Sequence, residues 1–182
     1  MNDWLIIVYK IPSEPSRYRA SIWRKIKAMG AVYLQSSVCI LPLNHKTEKN
    51  FRLLRREIES YGGEAYLIKG SFLLQEQSVI DMVNQARNDE YTEVIDRCQD
   101  FLKEIDKETE RKHFTFGELE ENEEDFEKLK KWFEKIRERD FFQANQCQAA
   151  IEMLEKCQEK IDEFSQKVFA HEEIIDDQQE NQ

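Results

Sequence analysis

A chain of 182 residues with 40% apolar and 35% charged content suits one domain, or a small domain with an appendage, and five glycines point to mostly helical structure. The net charge of −10 conceals an asymmetry: residues 1–72 carry 12 Lys+Arg against 6 Asp+Glu, so the acidity lies in residues 73–182. No apolar stretch approaches the ~20 residues of a membrane helix, and no basic segment precedes an apolar run as in a signal peptide.

A basic head on an acidic body implies an anionic partner for the head. The alternative is that the two halves neutralise each other within a homodimer. Cys39, Cys98, Cys147 and Cys157 are widely spaced without a C-x-x-C pair, which fits the reduced thiols of a cytoplasmic protein.

Residues 4–9, WLIIVY, form an apolar run too short for a helix and rich in Ile and Val, which predicts a strand buried on both faces. Pro12 and Pro15 stop it. A helix follows over Ser16 to Met29, with Ser13 or Ser16 as cap and Tyr18, Ile22, Ile26 and Met29 as its buried stripe. Arg17, Ser21, Arg24 and Lys27 lie on another face, with Arg19 and Lys25 at its borders. No acidic residue falls between Pro15 and Glu48, so this face is either solvated or poised for an anion.

Short strands at Val32–Gln35 and Val38–Leu41 are joined at Ser36-Ser37. A second helix starts near Asn44 and stops at Gly62-Gly63. Phe51, Leu54, Ile58 and Tyr61 make its core face, and Arg52, Arg55 and Arg56 cluster elsewhere on it. A last strand spans about Glu64 to Phe72. This βαββαβ order in some seventy residues predicts an α+β, ferredoxin-like domain over residues 1–73, with an antiparallel sheet and helices on one face.

From Gln75 the periodicity is helical. One stripe begins at Val79, Ile80, Val83 and Ala86, meets an irregularity at Asn88-Asp89, and resumes as Tyr91, Val94, Ile95, Cys98, Leu102 and Ile105. After a break at Phe114 to Gly117, Phe126, Leu129, Phe133 and Ile136 mark the next helix. The last carries a heptad of Cys147, Leu154, Ile161 and Val168, with Ala150, Cys157 and Phe164 between. The prediction is a mostly antiparallel three-helix bundle over 74–171 and a disordered acidic tail over 172–182.

No nucleotide-binding loop, serine elbow or metal-ligand spacing is present, and His45, His113 and His171 lie far apart near helix ends. The expectation is a non-enzymatic protein with no catalytic residue, metal or cofactor. Two constellations remain: Arg87, Glu90 and Tyr91 on one helical face, and Arg137-Glu138-Arg139-Asp140-Phe141-Phe142 at a helix end. Paired arginines hold oxyanions through bidentate hydrogen bonds, which makes Arg87, Arg137 and Arg139 candidate oxyanion ligands. The competing reading is an ion-pair network pinning two helices, with the phenylalanines capping the core.

The stretch WLIIVYKIPSEPSRYRASIWRKIKAMGAVYLQSSVCILP resembles the N-terminal region of ChrB, the regulator and chromate-resistance protein of bacterial chromate operons. Tyr9, Lys10, Pro12, Ser16, Arg17, Arg19, Trp23, Arg24, Gln35 and Pro42 sit at the matching places. Gly62-Gly63-Glu64-Ala65, Arg87 to Tyr91 and Arg139 to Phe142 resemble later blocks of that family. Cys39 replaces its frequent Trp, and Gln143-Ala144-Asn145 replaces its Gly-Ala-Pro. Members carry a further C-terminal domain linked with chromate handling, which these 182 residues lack. The first strand's ending also resembles CRISPR adaptation nucleases and the central domain of PaaX, which share the ferredoxin-like fold. In the nucleases an aspartate at this place helps bind a metal; here Lys10 stands there, and a cation cannot ligate a cation.

The resemblance implies cytoplasmic, chromate-linked transcriptional regulation, with DNA and chromate or another oxyanion as partners and no membrane. The residues assigned to nucleic acid are Lys10, Arg17, Arg19, Arg24, Lys27, Arg52, Arg55 and Arg56. The alternative is an oxyanion-sensing or protein-interaction module that does not bind nucleic acid.

Overall fold

Trp4–Lys10 forms the first strand, β1, and it lies inside a sheet rather than at its edge. The computed structural model describes residues 2–180, with side chains for residues 2–173. After β1 come α1 (Ser16–Ala28), β2 (Val32–Gln35), β3 (Val38–Pro42), α2 (His45–Ser60) and β4 (Glu64–Gly70). Three long helices follow: α3 (Glu76–Glu110), α4 (Phe116–Arg137) and α5 (Gln146–Glu180). The protein is therefore α+β, with four strands and five helices among the described residues. The tail set apart at 172–182 lies, from residue 174, outside the residues whose side chains are described.

The sheet order is β2-β3-β1-β4 with every neighbouring pair antiparallel. Ile7 stands opposite Cys39 on β3 and Leu67 on β4. Because successive strand side chains point to opposite faces, Leu5 and Ile7 feed one core while Trp4 and Ile6 feed another. The first core takes Ile22 and Ile26 from α1 and Phe51, Leu54 and Ile58 from α2. The second takes Val79 and Val83 from the start of α3, with Phe72, Phe141 and Phe142 packed against it. The buried Trp4 ring lies 5.7 Å from Phe72 and 5.6 Å from Phe142. Its indole N–H donates to Glu76 at 3.1 Å, so the polar end of the ring is satisfied.

The chain divides by packing into Met1–Arg87 with Arg139–Ala144, and Asn88–Glu138 with Asn145–Gln182. In the first unit, neither Ser13 nor Ser16 caps α1. Pro15 is the N-cap residue and makes no side-chain cap; its carbonyl accepts from Tyr18 N–H at 3.1 Å. Asn44 does cap α2, through a reciprocal box in which its side chain accepts from Thr47 N–H and the Thr47 hydroxyl accepts from Asn44 N–H, both at 2.9 Å. The stop at Gly62 has φ +75°, the left-handed turn that releases the chain into β4. That strand ends at Gly70, which leaves Phe72 free to pack on Trp4 instead of extending the ladder.

In the second unit the expected irregularity at Asn88-Asp89 does not occur, and α3 is continuous. The reason is that the Asn88 side chain bonds elsewhere: its carbonyl accepts from Gln146 N–H at 2.9 Å, at the first residue of α5. Thr115 caps α4 by accepting from Glu118 N–H at 3.3 Å. Tyr91 meets Phe133, Phe101 meets Phe126, and Phe114 meets Phe164, with ring centroids 5.7, 5.9 and 5.8 Å apart. On α5 the heptad residues Ala150, Cys157, Ile161, Phe164 and Val168 are buried, while Cys147 and Leu154 are only half-buried.

Ile7 is fully buried at the centre of the sheet, so Ile7→Ala should cost about 2–5 kcal/mol in urea denaturation. Lys10→Ala, at the exposed end of the same strand, should change stability by under ~0.5 kcal/mol. Equal losses would mean that β1 is not held as described.

Candidate functional site

The basic residues of α1 project from a helix whose other sides are occupied. Ile22 and Ile26 face the sheet, while Ser21 and Lys25 reach Glu57 on α2. Arg17, Arg19, Arg24 and Lys27 are exposed, and among the described residues no carboxylate pairs with any of them. Arg17 lies 5.3 Å from the ring centroid of Tyr18, which stacks on Tyr61 at 4.1 Å and anchors the N-terminal end of the face. Trp23 stands in the same basic face, 53% exposed, between Arg19 one turn before it and Lys27 one turn after it.

The other residues assigned to nucleic acid are less available. Arg52 pairs with Glu48 at 2.6 Å and Arg55 with Glu59 at 2.8 Å, both one turn apart on the exposed side of α2. Such pairs are worth about 0.5 kcal/mol or less, so a phosphate can displace them. Arg56 is exposed and has no carboxylate partner among the described residues. Lys10 is exposed at the end of β1, opposite Glu64 on β4.

Glu57 fastens the inner side of α1. Burial alone would raise its carboxyl, but hydrogen bonds from Lys25, Tyr61 and Ser21 hold it below the ordinary carboxylate range. Tyr61 donates at 2.9 Å and Ser21 at 3.3 Å.

Of the three arginines assigned to an oxyanion, the structure brings two to one point. Gly30 follows α1 with φ +79°, and a methyl group added there would lie 2.7 Å from Arg87 Nη1 and 3.0 Å from Arg139 Cβ. Arg87 is buried, and Arg139 donates to the Ala28 carbonyl, the last residue of α1, at 3.4 Å. A guanidinium at a helix C-terminus satisfies a carbonyl with no helical partner and complements the helix dipole. Asp140 turns the segment by accepting from Ala144 N–H at 3.0 Å, and Phe141 and Phe142 pack into the sheet cores. These contacts favour a structural role for Arg139 to Phe142. Arg137 belongs to the second unit, exposed on α4 and paired with Glu134 at 3.4 Å.

Two further groupings escaped sequence reasoning. The hydroxyls of Tyr9 and Tyr33 are 3.1 Å apart beside buried Cys39, whose thiol burial pushes up to about 12, partly opposed by a bond to Tyr33. Cys39 therefore stays a thiol at neutral pH. In the second unit a groove of about 440 Å³ between α3 and α4 is lined by Phe101, Trp132 and several carboxylates. Burial raises Glu108 there, against a 2.6 Å bond from Asn122 and with added repulsion from Glu118, Glu104 and Glu121. Neither grouping has a signal in one-dimensional spacing, because each joins residues from separate elements.

Among the described residues no group of three or more His, Cys, Asp or Glu is placed to hold a metal ion. Among them, too, no helix is long and apolar enough to cross a membrane. A family model described as Protein ChrB, N-terminal, matches residues 19–175. No curated protein and no solved structure matches the chain significantly.

A depressed carboxyl stabilises the fold above its unfolded pKa, near 4.3, and that contribution disappears as pH falls through the lower folded value. Glu57→Gln should therefore lose about 1 kcal/mol at neutral pH, and the difference from wild type should shrink below about pH 4 in thermal melts. Gly62→Ala meets only the cost of positive φ, about 1 kcal/mol, since its nearest neighbour is Pro12 Cγ at 4.0 Å. Gly30→Ala must also displace Arg87 and Arg139 and should lower Tm further than Gly62→Ala. Equal losses would show that the arginines do not crowd Gly30.

Proposed function

The chain belongs to the ChrB N-terminal family, and from that premise we propose a cytoplasmic regulator of chromate resistance that acts by binding DNA rather than by catalysis. The observation that carries this reading is the exposed face of α1, where Arg17, Arg19, Arg24 and Lys27 project without carboxylate partners among the described residues. Arginines so placed contact phosphates and release counterions. Arg56, Lys10 and the displaceable Arg52 and Arg55 extend the same surface chemistry. The net charge of −10 disfavours non-specific binding elsewhere, so binding is confined to the basic face. The βαββαβ order and the β2-β3-β1-β4 sheet support a ferredoxin-like first unit, and α3 to α5 support a mostly antiparallel three-helix bundle. A homodimer would present two such faces to the nucleic acid.

The convergence of Arg87 and Arg139 on Gly30 favours a second reading, an oxyanion-sensing module in which these two residues bind chromate without DNA. One set of measurements separates the two. Wild-type protein should bind DNA from its own promoter with an affinity that falls steeply with salt. Replacing Arg17, Arg19 and Arg24 together with Ala should leave Tm nearly unchanged, since exposed charges are worth under ~0.5 kcal/mol each. The same variant should lose most of the DNA affinity, and its salt slope should become shallower by about 0.9 for each phosphate no longer neutralised. A folded variant that binds like wild type, or wild type that binds no DNA at low salt, overturns the DNA reading. Calorimetric binding of chromate or sulfate without DNA binding would transfer the function to the second reading.

A further inference from the structure

We propose that Trp23 is a base-stacking platform, so that the basic face of α1 takes an unpaired strand of nucleic acid. This inference rests on the DNA reading above and deepens it by naming the form of the ligand. The chain has three tryptophans; Trp4 is fully buried and Trp132 is partly buried, whereas Trp23 keeps 53% of its surface in water. Leaving an indole exposed forfeits hydrophobic stabilisation that folding would otherwise gain. Among the described residues no aromatic ring stacks on it and no cation sits over it, although Arg19 and Lys27 lie one turn to either side. Ser16 and Ala20, small and exposed on the same side of the helix, leave the ring accessible.

The surroundings select the partner. An apolar protein surface would need a contiguous apolar patch around the indole. Trp23 has instead the cations Arg19 and Lys27 as its neighbours one turn to either side. The phosphates of an intact duplex would engage the cations, but its bases, stacked on each other, would offer the indole no free face. A single strand offers both at once: phosphates for the cations and base faces for the ring. Cations that track the phosphates beside an aromatic platform for the bases are how sequence-tolerant single-strand binding is built.

The test compares a thymidine oligonucleotide with a duplex of the same length, both titrated into the full chain at low salt. The single strand should quench tryptophan fluorescence, and the quenched component should be missing in Trp23→Phe. Trp23→Ala should lose about tenfold in affinity for the single strand and less than twofold for the duplex, while Trp23→Phe retains most of the binding. Trp23→Leu keeps apolar bulk without a π face and should behave as the Ala variant, which covers the case in which Ala disturbs the fold. Duplex binding by the wild type with no dependence on Trp23 and no single-strand quenching would overturn the stacking role and leave the DNA reading standing. No binding of either nucleic acid would overturn both.

Discussion

The structure depends on the burial of β1 from both sides. A strand with Leu5 and Ile7 on one face and Trp4 and Ile6 on the other needs an apolar layer above and below the sheet. The first layer comes from α1 and α2, within the same seventy residues. The second comes from later sequence: Val79 and Val83 at the start of α3, and Phe141 and Phe142 some sixty residues beyond them. This is why Arg139–Ala144, which has no helix or strand of its own, packs as part of the sheet unit. Its position in turn brings Arg139 onto the end of α1 and leaves Gly30 as a residue without room for a side chain.

The same packing divides the charges of α1 by role. Lys25 points at α2 and is held by Glu57, so it belongs to the fold. Arg17, Arg19, Arg24 and Lys27 point away and contribute little to stability. A helix fastened on one side and left cationic on the other can present charge to a ligand without its geometry depending on that ligand. On α2 the arrangement is different, because Arg52 and Arg55 already have carboxylates one turn away. The sequence contains those glutamates at the right spacing, so this partial neutralisation could have been read before the structure.

The arginines assigned to an oxyanion show the limit of reading faces from spacing. Arg87 and Arg139 are 52 positions apart and meet only because a buried sheet face draws both segments together. The spacing of three and four that placed Arg87 with Glu90 and Tyr91 concerned the helix surface, yet Arg87 is buried. Trp23 was legible only as part of a motif. Its exposure is a tertiary property, since an aromatic in a helix is more often buried than left in water.

By itself, the sequence determined the elements of the first unit: a strand from continuous apolar residues, α2 from its Asn44 cap and glycine stop, and the stripes that face the sheet. It also determined the heptad of α5 and the basic character of α1, because periodicity and local charge are properties of neighbouring residues. The tertiary structure alone decided which residues from distant segments share a site. It placed Phe141 and Phe142 on the second sheet face, joined Tyr33 to Tyr9, gave Asn88 to the start of α5 instead of to a helix break, and crowded Gly30 with two arginines. Each of these depends on burial of apolar surface between elements, a force without direction along the chain, and so none leaves a mark in local spacing.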